Sequence, residues 1–209
     1  MKISLIGMSG SGKSYWSKKL EENGFKMFCC DDLIEKRLEK ELKSLGYHGI
    51  QDISKWMGQP FDSQYKKNSR RYLELESEVI HEILDYLERS KENEDIIIDC
   101  TGSVIYADQN LLKRLEKVSK MLYLHSPSFV QKQMFEQYLK NPKPVIWGNI
   151  FSKKEGESNR KALQRNYPKL LSYRVKKYKD IAEIIFDYHL IRHNIFNINV
   201  FSDIIKKYD

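Results

Sequence analysis

The chain has 209 residues, 41% hydrophobic and 31% charged, with a formal net charge of +7. This length and balance suit a soluble globular protein, one domain or one domain with insertions, large enough to bury a proper core. No apolar run approaches the ~20 residues of a membrane span, and no signal-peptide pattern opens the chain. Three cysteines, Cys29, Cys30 and Cys100, are too few for a disulfide framework, so a cytoplasmic setting and no membrane partner are expected.

Taken in chain order, residues 2–6 (Lys2-Ile3-Ser4-Leu5-Ile6) read as a strand, and residues 13–22 read as a helix with Tyr15, Trp16 and Leu20 at apolar spacing. Between them Gly7-Met8-Ser9-Gly10-Ser11-Gly12-Lys13-Ser14 fits G-x-x-x-x-G-K-[ST]. Glycines let such a loop wrap phosphates with backbone N–H groups, the lysine reaches the β/γ-phosphates, and the serine hydroxyl ligates Mg²⁺. The nucleotide-binding set is therefore Gly7, Ser9, Gly10, Ser11, Gly12, Lys13, Ser14 and Tyr15. Strand, glycine-rich turn and helix together place a helix N-terminus against an anion.

After the Asn23-Gly24 stop signal, a strand is expected at 25–30 and a charged helix at 32–45. Asp31 and Asp32 at that junction are either helix N-caps or carboxylates free to orient a substrate hydroxyl. Residues 46–68, with Gly46, Gly49, Gly58 and Pro60, read as irregular or broken helix. A long helix follows over 70–90, with Leu73, Val79, Ile80, Ile83, Leu84 and Leu87 on one face. Asp95-Ile96-Ile97-Ile98-Asp99-Cys100 is a buried-strand pattern closing on a carboxylate, the arrangement of a Mg²⁺-directing aspartate, although a strand-end Asp also caps turns. A helix near 108–118, a strand at 120–124 and a helix near 128–139 continue the alternation.

Asn141-Pro142-Lys143-Pro144 then breaks the helix, opening a loop that runs to about residue 157. A basic helix spans 158–180, with Pro168 expected to kink or break it. Residues 152–179 carry ten Lys/Arg against two acids, so the positive excess is local. A strand at 183–187 and a helix at 200–208, capped by Asn199, close the chain. His189 and His193 are four apart but sit in a polar, Asn-rich stretch, and no zinc role is expected for them. The alternation predicts an α/β, three-layer P-loop NTPase fold: a five-stranded parallel sheet with helices on both faces. Residues 1–209 are expected to form a single domain, with 46–70 a substrate-binding insertion and 141–157 a lid.

The strand ends also resemble a family. Cys29-Cys30-Asp31-Asp32-Leu33-Ile34-Glu35 is similar to the D-x-D-x-x-I-E of shikimate kinase and its small-molecule kinase relatives, with Asp31, Ile34 and Glu35 matching. Gly49-Ile50 through Ile53 resembles that family's S-I-x-x-I, Lys143-Pro144-Val145-Ile146 its R-P-L-L lid opening, and Arg174 through Ala182 its R-x-x-L-Y-x-x-x-A. The resemblance implies an NMP-kinase- and shikimate-kinase-like fold with a lid, and ATP and Mg²⁺ as cofactors. It implies that Asp31 polarises an acceptor hydroxyl, that Arg174 binds the acid group of the acceptor, and that Lys143 contacts ATP phosphates. The family's substrate arginine, in an F-R-x-x-E helix start, would be Arg71 or Arg70, with Glu74 after it.

Departures from the pattern are equally informative. Cys29 stands where the family has its magnesium-shell aspartate, and Thr101-Gly102-Ser103 replaces a glycine triplet that cradles the substrate, leaving Gly102 as the retained substrate-side glycine. Lys143 keeps the lid charge but loses the guanidinium fork. Ser14 and Asp99 are therefore the expected metal-directing pair. The leading expectation is transfer of phosphate from ATP to a hydroxyl of a small metabolite other than shikimate, with Lys13, Asp31 and Lys143 catalytic. Two alternatives stand beside it: a nucleotide or nucleic-acid-end kinase, for which the basic segment speaks, and a nucleotide-binding regulatory module without efficient transfer, for which Cys29 speaks.

Overall fold

The computed structural model describes residues 1–90, 94–193 and 195–207, and the side chains of residues 50 and 51 lie outside that description. Five strands, β1 (Lys2–Ile6), β2 (Lys26–Cys29), β3 (Ile96–Asp99), β4 (Lys120–Leu124) and β5 (Ile184–Phe186), form one sheet in the order β2-β3-β1-β4-β5. Every pairing is parallel. Ile96, Ile97 and Ile98 are fully buried because helices cover both faces of the sheet, which is why these strands read as continuous apolar runs.

The helices are α1 (Lys13–Glu21), α2 (Cys30–Ser44), α3 (Ile50–Met57), α4 (Tyr65–Arg89), α5 (Gln109–Val118), α6 (Ser128–Lys140), α7 (Asn159–Ile181) and α8 (Ile198–Lys206). One apolar layer joins α2, α4, α5 and α7 to the sheet through Ile34, Val79, Leu115 and Leu170. The opposite layer packs Trp16 of α1 against Phe186, Phe196 and Phe201, with Trp16 and Phe201 stacked at 5.1 Å. The register sets Asp99 opposite both Leu5 and Cys29, so the carboxyl ends of β1, β2 and β3 open onto one edge. In open α/β sheets that edge is where ligands bind.

Four expectations need correction. The strand expected at 25–30 stops at Cys29 and α2 begins at Cys30; Cys29 holds the N-cap position without a side-chain bond, so neither Asp31 nor Asp32 is the cap. Residues 46–68 are a broken helix, as expected, with α3 between Gly49 and Gly58, both at positive φ, but α4 starts at Tyr65 rather than 70. Pro168 does not interrupt α7. Proline removes the amide that would bond the carbonyl of Gln164, but both residues are exposed, which leaves that carbonyl on the solvent side of the helix. Finally Asn197, not Asn199, caps α8 by accepting from the amides of Asn199 and Val200; the expected end of that helix at 208 falls outside the described residues.

Candidate active site

The turn after β1 is shaped by glycine. Gly7, Gly10 and Gly12 have φ of 146°, 81° and 105°, and among the described residues no other residue type takes positive φ. At Gly7 space is also short, since a Cβ would sit 2.9 Å from the carbonyl oxygen of Leu124. Gly12 is the N-cap of α1, so the first-turn amides of that helix point at the loop. Lys13 opens the helix and folds back, its buried Nζ donating to the carbonyls of Gly7 at 3.1 Å and Met8 at 3.3 Å. Ser14 follows, exposed.

Asp99 meets this loop from β3. Burial pushes its carboxyl above the usual carboxylate range, Lys13 and a hydrogen bond from Ser14 pull it back, and Asp31 and Asp32 push it up again. The two residues expected to direct a metal thus lie beside one another. Cys29 does not replace a carboxylate there: burial pushes its thiol up to about 12, and Mg²⁺ takes oxygen rather than sulfur ligands. A hydroxyl and one carboxylate beside a phosphate loop suit Mg²⁺, which keeps several waters and takes few protein ligands. Asp31, half-buried in the first turn of α2, accepts from the Tyr72 hydroxyl at 3.0 Å.

Phosphate loop, Asp31, Lys143 and Arg174 line one cleft of about 310 Å³, closed at the strand-end side by Tyr72, Thr101, Gly102 and Ser103. Tyr15, largely exposed, lines its rim. Gly102 is held by the Tyr178 hydroxyl, which donates to its carbonyl at 2.6 Å, and a Cβ there would lie 3.2 Å from Arg174 Nη1. Arg174 is buried; its Nη2 donates to the carbonyl of Ile146 at 2.8 Å, while its Nε has no hydrogen-bond partner. Beyond Ser9, Gly10 and Lys143 the cleft adjoins a second hollow of about 560 Å³ that reaches Tyr138, Tyr167 and Arg192. Ser11 and Gly12 also border a third, of about 450 Å³, walled by Arg192 and Phe196.

Arg71 is not among the residues that line this cleft. It is exposed and faces Glu74 at 3.6 Å and Glu78 at 3.8 Å on the outer side of α4. Arg70 is exposed as well. The side of α4 turned inward instead carries Tyr72, which lines the cleft, and Glu76, which lies behind Thr101 and Ser103. Glu76 went unrecognised, yet it falls at i+4 from Tyr72 and between the buried Leu75 and Val79, the signature of a carboxylate on an apolar face.

Of the ten basic residues at 152–179, only Arg174 lines the cleft; Lys161, Lys169, Lys176 and Lys179 are exposed on α7. The 141–157 loop is pinned. Trp147 is buried against Tyr138, Phe151 and Tyr167, its amide donates to the Tyr65 hydroxyl at 2.7 Å, and Arg165 bridges Glu157 at 2.7 Å.

No family model and no curated protein matches the sequence. Solved structures do match the fold. A shikimate kinase from Acinetobacter baumannii, in complex with shikimate, superposes with a TM-score of 0.57 at 17% identity over 99% of this chain and 90% of that one. A shikimate kinase from Bacteroides thetaiotaomicron superposes with a TM-score of 0.59 at 15% identity, covering 100% of this chain and 98% of that one. The chain has the shikimate kinase-like P-loop fold.

Proposed function

We propose that the protein is an ATP- and Mg²⁺-dependent phosphotransferase acting on a hydroxyl of a small molecule. The observation that carries this reading is the placing of Ser14, Lys13 and Asp31 on one cleft floored by the phosphate loop, with Asp99 beside Ser14 at the end of β3. Phosphoryl transfer needs positioning and charge neutralisation more than covalent chemistry. The loop amides and Lys13 hold the phosphates, and Lys143 covers them from the 141–157 segment. Ser14 and Asp99 would hold Mg²⁺, which neutralises charge on the phosphate oxygens when bound. Asp31, oriented by Tyr72, accepts the proton of the acceptor hydroxyl, and Arg174 holds the acceptor from the opposite wall.

A thermal-shift screen of hydroxylated metabolites, run with Mg²⁺ and a non-hydrolysable ATP analogue, tests the reading. A ligand of the competent state raises the midpoint by mass action, about 2.7 kcal/mol of stabilisation at a concentration 100 times its Kd. Hits that are then phosphorylated from ATP support the proposal; ATP binding with no acceptor turned over contradicts it.

The exposed cations of α7 favour a second reading, a nucleotide or nucleic-acid acceptor. It requires retention of an oligonucleotide that weakens steeply with salt, by about one counterion for each phosphate contacted.

A further inference from the structure

Surface lysines elsewhere on the protein are paired with acids one helical turn away: Lys19 with Glu22, Lys43 with Glu39 and Lys55 with Asp52. Helix α7 departs from this. No acid occurs between Glu157 and Asp180, and none stands in the first turn of the helix. Lys161, Lys169, Lys176 and Lys179 are exposed, and among the described residues their side chains form no ion pair or hydrogen bond. At about 3.6 residues per turn the four lie within about 80° of one another and span about 27 Å of the axis. Pro168 does not interrupt the helix, so this ridge is continuous. Arg174 stands on the opposite side of α7 and lines the cleft. A molecule held along the ridge therefore lies outside the cleft.

Such a ridge is unfavourable in the free protein. Lys176 and Lys179, one turn apart, repel each other, and Arg160 and Lys161 meet the positive end of the helix dipole. A polyanion relieves both. Its class follows from what the ridge lacks. The other exposed residues along it are Gln164, Pro168 and Ser172, and no large apolar side chain is exposed on α7. A helix lying on a membrane needs an apolar face beside its cations, and a protein partner needs a buried aromatic or aliphatic anchor. Single-stranded nucleic acid needs aromatic platforms for its bases. A duplex needs none of these, because its bases stack on one another and its surface presents one negative charge per about 1.7 Å of axis. The major groove of B-form DNA is also wide enough to admit a helix, whereas that of A-form RNA is deep and narrow.

We propose that the outer ridge of α7 is a docking surface for the phosphate backbone of double-stranded DNA, bound without regard to base sequence. Lys161, Lys169, Lys176 and Lys179 each neutralise a phosphate and release a condensed counterion. The DNA is a partner of the outer surface and not the phosphate acceptor, so the inference goes beyond both readings of the cleft and stands without either.

The test is fluorescence anisotropy of a labelled DNA duplex of about 20 base pairs and arbitrary sequence, titrated with the full chain in the absence of nucleotide. Both ends of the duplex are capped, so that no terminal hydroxyl is free. Four phosphate contacts predict a slope of log affinity against log salt of about −3.6, a loss of roughly 100-fold between about 50 and about 200 mM NaCl. Lys169→Gln/Lys176→Gln should bring the slope to about −1.8. Lys43→Gln/Lys55→Gln removes the same charge from another surface and should leave the slope unchanged. All four of these lysines are exposed, and an unchanged Tm shows that each variant keeps the fold. No binding in the lower salt, a slope that the ridge variant does not move, or an equal loss in the control variant would overturn the proposal. So would tighter binding of an RNA duplex, of polyglutamate or of phosphatidylserine vesicles. Binding that appears only with free DNA ends and ATP would assign the DNA to the cleft and overturn it as well. Failure to phosphorylate any metabolite leaves the result standing, since neither ATP nor an acceptor is present.

Discussion

Glu76 carries the clearest pH signature of the cleft. Burial pushes its carboxyl up to about 7, the hydrogen bonds from Thr101 and Ser103 and the charge of Arg174 working against that rise. The folded chain thus holds this proton to higher pH than the unfolded chain does. Its contribution to stability is full below the ordinary carboxylate pKa of about 4.3 and is lost as pH rises through about 7. Glu76→Gln, which cannot titrate, should therefore gain on the wild type by about 1–3 kcal/mol between pH 5 and pH 8, a few degrees of Tm. A Tm difference that stays flat with pH would contradict this. At Asp99 the expectation concerns the metal: Asp99→Asn keeps the shape but not the charge, so the Mg²⁺ needed for half-maximal turnover should rise at least tenfold. An unchanged Mg²⁺ requirement would remove Asp99 from the metal site. The phosphate-loop residues and Asp99 were legible in the chain because their types and spacing are set by backbone geometry and a strand end. Glu76 was not, because a glutamate on a charged helix looks solvated until the neighbouring strand end is known.

Elements were read well where one force dominates. The strand at 120–124 appears as expected because a buried parallel strand is a short apolar run with sharp ends. Segment 46–68 is the broken helix its glycines announce, with Gly49 and Gly58 marking the two ends of α3, although its exact helix bounds were not legible. Pro168 misled because the buried side chains on either side of it, Leu163, Tyr167, Leu170 and Leu171, hold α7 to the core despite the roughly 3 kcal/mol a helix-interior proline costs. The 141–157 segment reads as a lid, but Trp147 makes its middle part of the core, leaving residues 141–144 as its stretch next to the cleft outside that core. Trp147→Ala should cost about 3–5 kcal/mol, read as a lower midpoint in urea, as burial of a large aromatic against three other rings requires. A loss under about 1 kcal/mol would mean the segment is held elsewhere.

At the scale of the whole molecule, sheet order and ligand edge follow from one another. Placing β1 in the centre, with β3 on one side and β4 on the other, brings the phosphate loop beside Asp99 and beneath α7. The alternation of apolar runs and helical periods announced this parallel sheet, while the strand order itself came only from the structure. The charge distribution divides in the same way: the basic excess of α7 was plain in the composition, but only folding separates Arg174, inside the cleft, from the exposed lysines. The account turns on Asp31 meeting an acceptor hydroxyl over the phosphate loop. The most direct measurement is acceptor-dependent ADP release with Mg²⁺, wild type against Asp31→Asn, on a metabolite found in the thermal-shift screen. A loss in kcat of about 100-fold or more, with binding of the ATP analogue unchanged, is predicted, the scale of removing a positioned general base. Turnover within a few-fold of the wild type would contradict the account.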